Sequence, residues 1–196
     1  MNGEFASSTR ESNIFFLNKN GAGFEDATET FGLESFMATT SYSYVDIDND
    51  GDLDIVVVPV WGPVAIYLND VGGRNAIAFE IRDDVGNHFG IGTKIIIHYG
   101  PDGGRQQLRE LQAGGGFVSY DAPIVHFGLG QFDSVDFVEI RWSTDETTIV
   151  HADVAAGARY VLTRGGLEST QADVAARDDI SDPSEYSGEP ETRLAL

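Results

Sequence analysis

Short apolar runs alternate along the chain with clusters of Gly, Asn and Asp, and almost no stretch sustains a 3.6-residue period. That pattern predicts strands over 13–18, 40–46, 53–60, 63–69, 75–82, 92–99, 105–112, 116–120, 122–128, 135–142, 146–151 and 157–163. Within 138–142, Val138, Ile140 and Trp142 alternate with Glu139 and Arg141, as in a strand with one wet face. The runs 53–60 and 63–69 are apolar on both faces, so each needs cover on two sides. The fold class expected is all-β.

Ile14-Phe15-Phe16-Leu17-Asn18 returns as Ala65-Ile66-Tyr67-Leu68-Asn69, a spacing suited to one propeller blade. The turn-rich Asp70-Val71-Gly72-Gly73 marks a break before a new strand. From Gly165 onward, acids dominate and large apolar residues thin out, so that segment buries too little to offset its chain entropy. Three parts are expected: a partial propeller-like β-hairpin unit over 1–74, a β-sandwich over 75–164, and an acidic flexible tail over 165–196. The first unit is expected to pack one face of its hairpin on the sandwich.

Charge narrows the function classes. Against 12 Lys plus Arg stand 32 Asp plus Glu, a formal charge of -20 that repels nucleic-acid backbones and anionic membrane surfaces. Only Lys19 and Lys94 are lysines, a balance suited to salt- or calcium-rich surroundings. No cysteine is present, which excludes disulfides, thiolate metal sites and a cysteine nucleophile. The longest apolar stretch, 55–65, carries two prolines and a glycine, so no membrane-spanning helix is expected. Met1-Asn2-Gly3-Glu4 shows neither the basic nor the apolar region of a secretory signal.

One motif carries chemistry. Asp46-Ile47-Asp48-Asn49-Asp50-Gly51-Asp52-Leu53-Asp54 sets carboxylates at alternate positions of a tight loop. Calcium takes about six to eight oxygens at about 2.3–2.6 Å, and this spacing offers them at loop positions one, three, five and nine. Asp46, Asp48, Asp50 and Asp54 are the expected side-chain ligands; Asp52, at position seven, would supply its backbone carbonyl. Gly51 permits the sharp turn. Position twelve is Val57 and not the bidentate Glu of an EF-hand, and the flanks Tyr42-Ser43-Tyr44-Val45 and Ile55-Val56-Val57-Val58 are strand formers. A calcium loop in a β-hairpin follows, because carboxylates within about 4–6 Å repel one another unless a cation or a proton relieves them.

The loop and its flanks resemble an FG-GAP or VCBS repeat of the integrin-type propeller class. Asn20-Gly21-Ala22-Gly23-Phe24-Glu25-Asp26-Ala27-Thr28 is similar to the segment between such repeats, with one residue fewer before the Phe. Downstream, Gly90-Ile91-Gly92-Thr93-Lys94-Ile95, Arg109-Glu110-Leu111-Gln112-Ala113-Gly114-Gly115-Gly116-Phe117-Val118-Ser119, His126-Phe127-Gly128-Leu129-Gly130 and Val135-Asp136-Phe137-Val138-Glu139-Ile140-Arg141-Trp142 resemble the ASPIC/UnbV domain in order and spacing. Gly86-Asn87-His88-Phe89-Gly90 departs from that family's Ser-Asn-Arg-Asp before Ile-Gly. The order of the two segments is that of the cartilage acidic protein-like family, which implies a secreted, calcium-binding protein more firmly than any activity.

The remaining candidates read as structural. His126 could serve as a general base near Ser119, Asp121 or Asp136, but no nucleophile motif accompanies it, and a backbone hydrogen bond within the sandwich is expected instead. Gly114-Gly115-Gly116 lacks the helix and Lys of a phosphate cradle and reads as a β-bulge. His88, His98 and His151 lack zinc spacing. Trp61, Tyr42, Tyr44 and Tyr67 could form a sugar platform or belong to cores. The function expected is an extracellular calcium-binding interaction module, contacting another chain or its own copy through residues 1–74 by strand addition or side-by-side packing. An accessory or catalytic subunit of a secreted enzyme and a carbohydrate-binding module are the alternatives.

Overall fold

The computed structural model describes residues 12–70, 75–169 and 192–194. Most of the expected tail, and the expected boundary near 74, fall outside these described residues. Fourteen strands and one 3₁₀ turn at Pro101–Gly103 make up the regular structure among them, in agreement with the all-β reading.

Two four-stranded sheets form the larger body. One runs β11 (Thr147–Ala155), β10 (Ser134–Arg141), β7 (Lys94–Tyr99), β8 (Arg105–Glu110); the other runs β13 (Gly166–Ser169), β12 (Ala158–Thr163), β6 (Asn75–Ile81), β9 (Ile124–Gly130). All pairings are antiparallel except β12 with β6, which is parallel. Period-two alternation sends Ile77, Phe79 and Ile81 of β6 and Val125, Phe127 and Leu129 of β9 inward, to meet Ile95 and Ile97 of β7 and Val138 and Ile140 of β10. Trp142 and Leu162 complete this core.

Alternation has a second consequence, which positions the site. The residues between those core positions, Ala76 and Ala78 on β6 with His126 and Gly128 on β9, belong to the opposite face of the sheet, where Ala76 pairs with Gly128 and Ala78 with His126. Ala76, Ala78 and Gly128 carry little or no side chain, which leaves His126 as the large group on this part of the face.

The smaller body is a sheet ordered β14 (Thr192–Leu194), β5 (Ala65–Asn69), β4 (Asp54–Pro59), β3 (Thr39–Val45), beside a two-stranded ribbon of β1 (Phe16–Asn18) and β2 (Phe24–Asp26). Leu33, Val57 and Tyr67 form its core, with Phe15, Phe31, Ile55 and Ala65 packed against them. Phe15 and Phe31 meet edge to face, with centroids 5.3 Å apart. One face of the hairpin is therefore covered by residues 15–33 of the same unit; the sandwich, the cover expected from sequence, meets the unit instead at the 46–54 loop and along β3. The other face keeps Val58 at 39% and Ile66 at 41% exposure.

Three further expectations change. Residues 116–120 form no strand: Gly116 N–H donates to the Ser119 carbonyl in a turn, and Val118 sits at φ 56, a left-handed conformation foreign to a pleated strand. The glycine triplet lies in this loop beyond the end of β8 and is not a bulge. The second sheet also continues past 164, because Leu162 pairs with Leu167 and Leu167 packs on the large core.

Candidate functional site

The acidic loop joins β3 to β4, so two paired strands fix where it begins and ends: Val45 is the register partner of Asp54. Inside it, the amide of Asp50 points to Asp48 Oδ1 at 3.3 Å and that of Asp52 donates to Asp50 Oδ1 at 2.8 Å. Each short carboxylate thus captures an amide two residues on, and the chain coils tightly enough to set its side chains on one centre. Asn49 at φ 58 and Gly51 at φ 94 supply the left-handed steps; at the latter angle only glycine is unstrained.

Asp46, Asp48 and Asp50 converge, each placing a carboxylate oxygen within 4.8 Å of the others. Asp54 is not in that trio. Its side chain is fully buried and acts as a clasp: Ile47 N–H donates to one oxygen and Asn69 N–H to the other, both at 2.8 Å. These bonds tie the loop's first residue pair to its last and to the end of β5. Asp52, with its amide held by Asp50, also lies outside the trio.

Electrostatics set the loop under tension. Burial, then the charge of Asp50, pushes the Asp46 carboxyl up, with Asp48 and Asp54 adding to the rise and a hydrogen bond from the Gly51 amide opposing it. Asp54 is likewise pushed up, first by burial and then by Asp48 and Asp50, against the pull of the Asn69 and Ile47 amides. Of the buried side-chain polar atoms without a hydrogen-bond partner among the described residues, two lie at this loop, Asp46 Oδ1 and Asn69 Oδ1. Unpaired buried oxygens beside crowded carboxylates suit a hard cation with oxygen ligands. Sequence reasoning passed over Asn69, although it closes the repeated Ile-Tyr-Leu-Asn segment that has Asn18 at its first occurrence.

The loop also has supports from the larger body. His126 Nε2 lies 2.7 Å from the Gly51 carbonyl, and a Cβ on Gly51 would lie 4.0 Å from that of Ala76. Ser119 Oγ donates to the Tyr42 carbonyl at 2.8 Å, while Asp121 Oδ1 accepts from Tyr44 N–H at 2.8 Å and Ser43 Oγ at 3.0 Å. His126 therefore bonds backbone, as expected, but that backbone belongs to the other sheet system, 75 residues away.

Other candidates separate. His88 stacks edge to face on Phe89, and His98 lies flat on Phe137 with centroids 4.0 Å apart. Tyr67 is core, Tyr42 and Tyr44 form an edge-to-face pair, and Trp61 is 85% exposed at the β4–β5 turn. A cleft of about 310 Å³ is lined by Arg82, Asp83, Asp84, His88, Arg164 and Glu168 among others. Its buried Asp83 is bound by Arg164 at 2.6 and 2.8 Å, and Arg164 also meets Glu146 and Thr144 while stacking over Trp142. The Arg164 guanidinium holds the Asp83 carboxyl below its ordinary range.

Comparison with known proteins agrees with this layout. Residues 4–57 match the FG-GAP-like repeat family and residues 84–169 the ASPIC and UnbV family. Cartilage acidic protein 1 of Homo sapiens is 27% identical over 115 residues, 57% of this chain and 17% of that protein. The Xenopus tropicalis protein of the same name is 28% identical over 120 residues, 60% and 17% respectively. The chain thus covers only about a sixth of these relatives. Its acidic loop sits in the first matched segment and the supports Ser119, Asp121 and His126 in the second, so the chain is similar to an FG-GAP-like repeat followed by an ASPIC and UnbV domain.

Proposed function

We propose that this protein is an extracellular interaction module whose acidic loop binds calcium and whose small sheet docks on another protein chain. The observation that carries the calcium reading is the trio Asp46, Asp48 and Asp50, with the buried, partnerless Oδ1 of Asp46 beside it. Asp52 would add its carbonyl and Asp54 would hold the loop closed, adding an oxygen where its two amide bonds leave room. Calcium would supply charge neutralisation for the cluster. The extracellular reading rests on the kinship with cartilage acidic protein 1 and on the acidic composition. Among the described residues no helix is long and apolar enough to cross a membrane.

A cation that binds the folded loop and not the unfolded chain stabilises by mass action, about 2.7 kcal/mol at a hundred times its dissociation constant. Melting with excess calcium and with chelator should differ by several degrees in the wild type, and Asp48→Ala should abolish the difference. Equal midpoints in the wild type would refute calcium binding.

The docking reading rests on the uncovered face of the small sheet, where Val58 and Ile66 lie exposed beside Val56 and Leu68. The contact is with a second copy or with a neighbouring β unit, side by side. Light scattering at micromolar concentration, with calcium, should report an oligomer or a stable complex with the partner. A monomer that stays single and gains no partner on this face would overturn it.

A further inference from the structure

The acidic loop is gripped from outside at two places. At its turn, the Gly51 carbonyl accepts a hydrogen bond from His126 Nε2 at 2.7 Å; because a carbonyl only accepts, Nε2 carries the proton. At its entry, Tyr42 and Tyr44, which precede Asp46 on β3, are held by Ser119 and Asp121. Gly51 lies between the two systems, its amide directed at Asp46 and its carbonyl at His126. A Cβ on Gly51 would lie 4.0 Å from that of Ala76, so this turn comes close to the sandwich. The conformation that gathers Asp46, Asp48 and Asp50 is thus the conformation that reaches His126.

We infer that His126 is a positioning residue of the acidic loop, and that cation binding there is thermodynamically linked to docking of the FG-GAP-like repeat on the ASPIC and UnbV domain. This inference rests on the calcium reading above. Its logic is reciprocal: if docking holds the loop in its binding shape and raises cation affinity, the cation must tighten docking by the same factor. An isolated loop would need to order itself on binding, whereas this one is ordered by contacts contributed from 75 to 78 residues downstream. The cation then acts as a clamp between the two segments without touching the second.

The test is calorimetric titration of calcium into the full chain, for wild type, His126→Ala, His126→Gln and Asp121→Ala, with His88→Ala as a remote control. Loss of one hydrogen bond to a backbone carbonyl that acts through the loop weakens affinity about two- to tenfold, so His126→Ala should fall in that range, and Asp121→Ala, which removes a carboxylate accepting from both Tyr44 N–H and Ser43 Oγ, should weaken affinity at least as much. His126→Gln, which can still donate an N–H, should bind more tightly than His126→Ala, and His88→Ala should match wild type. Hydrogen exchange supplies the reciprocal readout: calcium should slow exchange of amides in 113–121, which lie outside the loop. A merely structural His126 predicts a lower melting midpoint in chelator with unchanged calcium affinity, and that result overturns the linkage. Should His126→Ala not fold, unchanged affinity in His126→Gln and Asp121→Ala together with unchanged exchange in 113–121 overturns it equally. Absence of calcium binding by the wild type is a separate failure, which removes the calcium reading and the linkage with it.

Discussion

Replacing Asp54 by Ala removes the acceptor for two N–H groups at once. The oxygens of this fully buried carboxylate hold the Ile47 and Asn69 amides at 2.8 Å each. Hydrogen bonds to a charged group contribute about 1.5–3 kcal/mol apiece, so the gross loss is about 3–6 kcal/mol. An opposing term comes from the carboxylate itself: burial, and then the charges of Asp48 and Asp50, hold its pKa above the ordinary value, so its ionised form already carries an electrostatic penalty that the substitution relieves. The net expectation is the lower end, about 3 kcal/mol. At about 2–4 °C per kcal/mol for a body of this size, the melting midpoint should fall by about 6–12 °C. Asp54→Asn keeps one acceptor but turns an NH₂ group toward the other amide, and should lose about half as much. The assay is thermal unfolding in chelator, followed by far-ultraviolet circular dichroism, so that cation affinity does not enter. A fall below about 2 °C for Asp54→Ala would mean that water or a shifted backbone satisfies both amides, and the clasp argument would fail.

Two further outcomes test other parts of the fold. Val118 is 80% exposed at φ 56, a strained state for a β-branched residue; Val118→Asn should raise stability by about 1 kcal/mol, read as a higher urea midpoint. For Asp83 the sign follows from its lowered folded pKa: its pairing with Arg164 stabilises fully above the ordinary carboxylate value of 3.8 and is lost as pH falls through the lower folded value. Urea midpoints of wild type and Asp83→Asn should therefore differ most near neutral pH and converge in acid, and a gap that widens toward acid would contradict the assigned ion pair.

The parts of the molecule that were legible in the sequence are those dictated by local periodicity. Inward alternation in β6, β9 and β10 and the alternate carboxylates of the loop are written within a few residues of each other. Strand β2 was not legible, because Phe24, Glu25 and Asp26 are all exposed and show no period; its pairing with β1 comes from the turn between them, where Asn18 Oδ1 accepts from the Gly21 amide. Residues 116–120 resemble a strand in composition but spend their polar groups on β3 instead of on a neighbouring ladder. The clustering of carboxylates in the loop was legible as a spacing, while the separation between the converging trio Asp46, Asp48 and Asp50 and the buried Asp54 depends on burial, which spacing does not encode. That Asn69 and His126 meet the loop was not legible for a simpler reason: their partners lie 15 and 75 residues away.

Those long-range contacts also narrow how a partner can approach the small sheet. An open strand edge would invite addition of a further strand. Along β3, however, the Tyr42 carbonyl is occupied by Ser119 and the Tyr44 amide by Asp121, side chains that satisfy the edge without extending the ladder. Along β5, Thr192–Leu194 pairs in parallel over Tyr67, Leu68 and Asn69. Strands β3 and β5 thus both meet other parts of the same chain, whereas the face bearing Val56, Val58, Ile66 and Leu68 meets no hydrophobic cluster among the described residues. Strand addition on β3 or β5 would first have to displace charge-assisted bonds at the one or the paired segment at the other. Packing on the face displaces only water from apolar surface, at about 25 cal/mol per Å² in its favour. Of the two modes open to a sequence with apolar residues on both faces of its hairpin, side-by-side association through the face is therefore the one this arrangement favours, and a single charge placed at Val58 or Ile66 is where it is most sensitive.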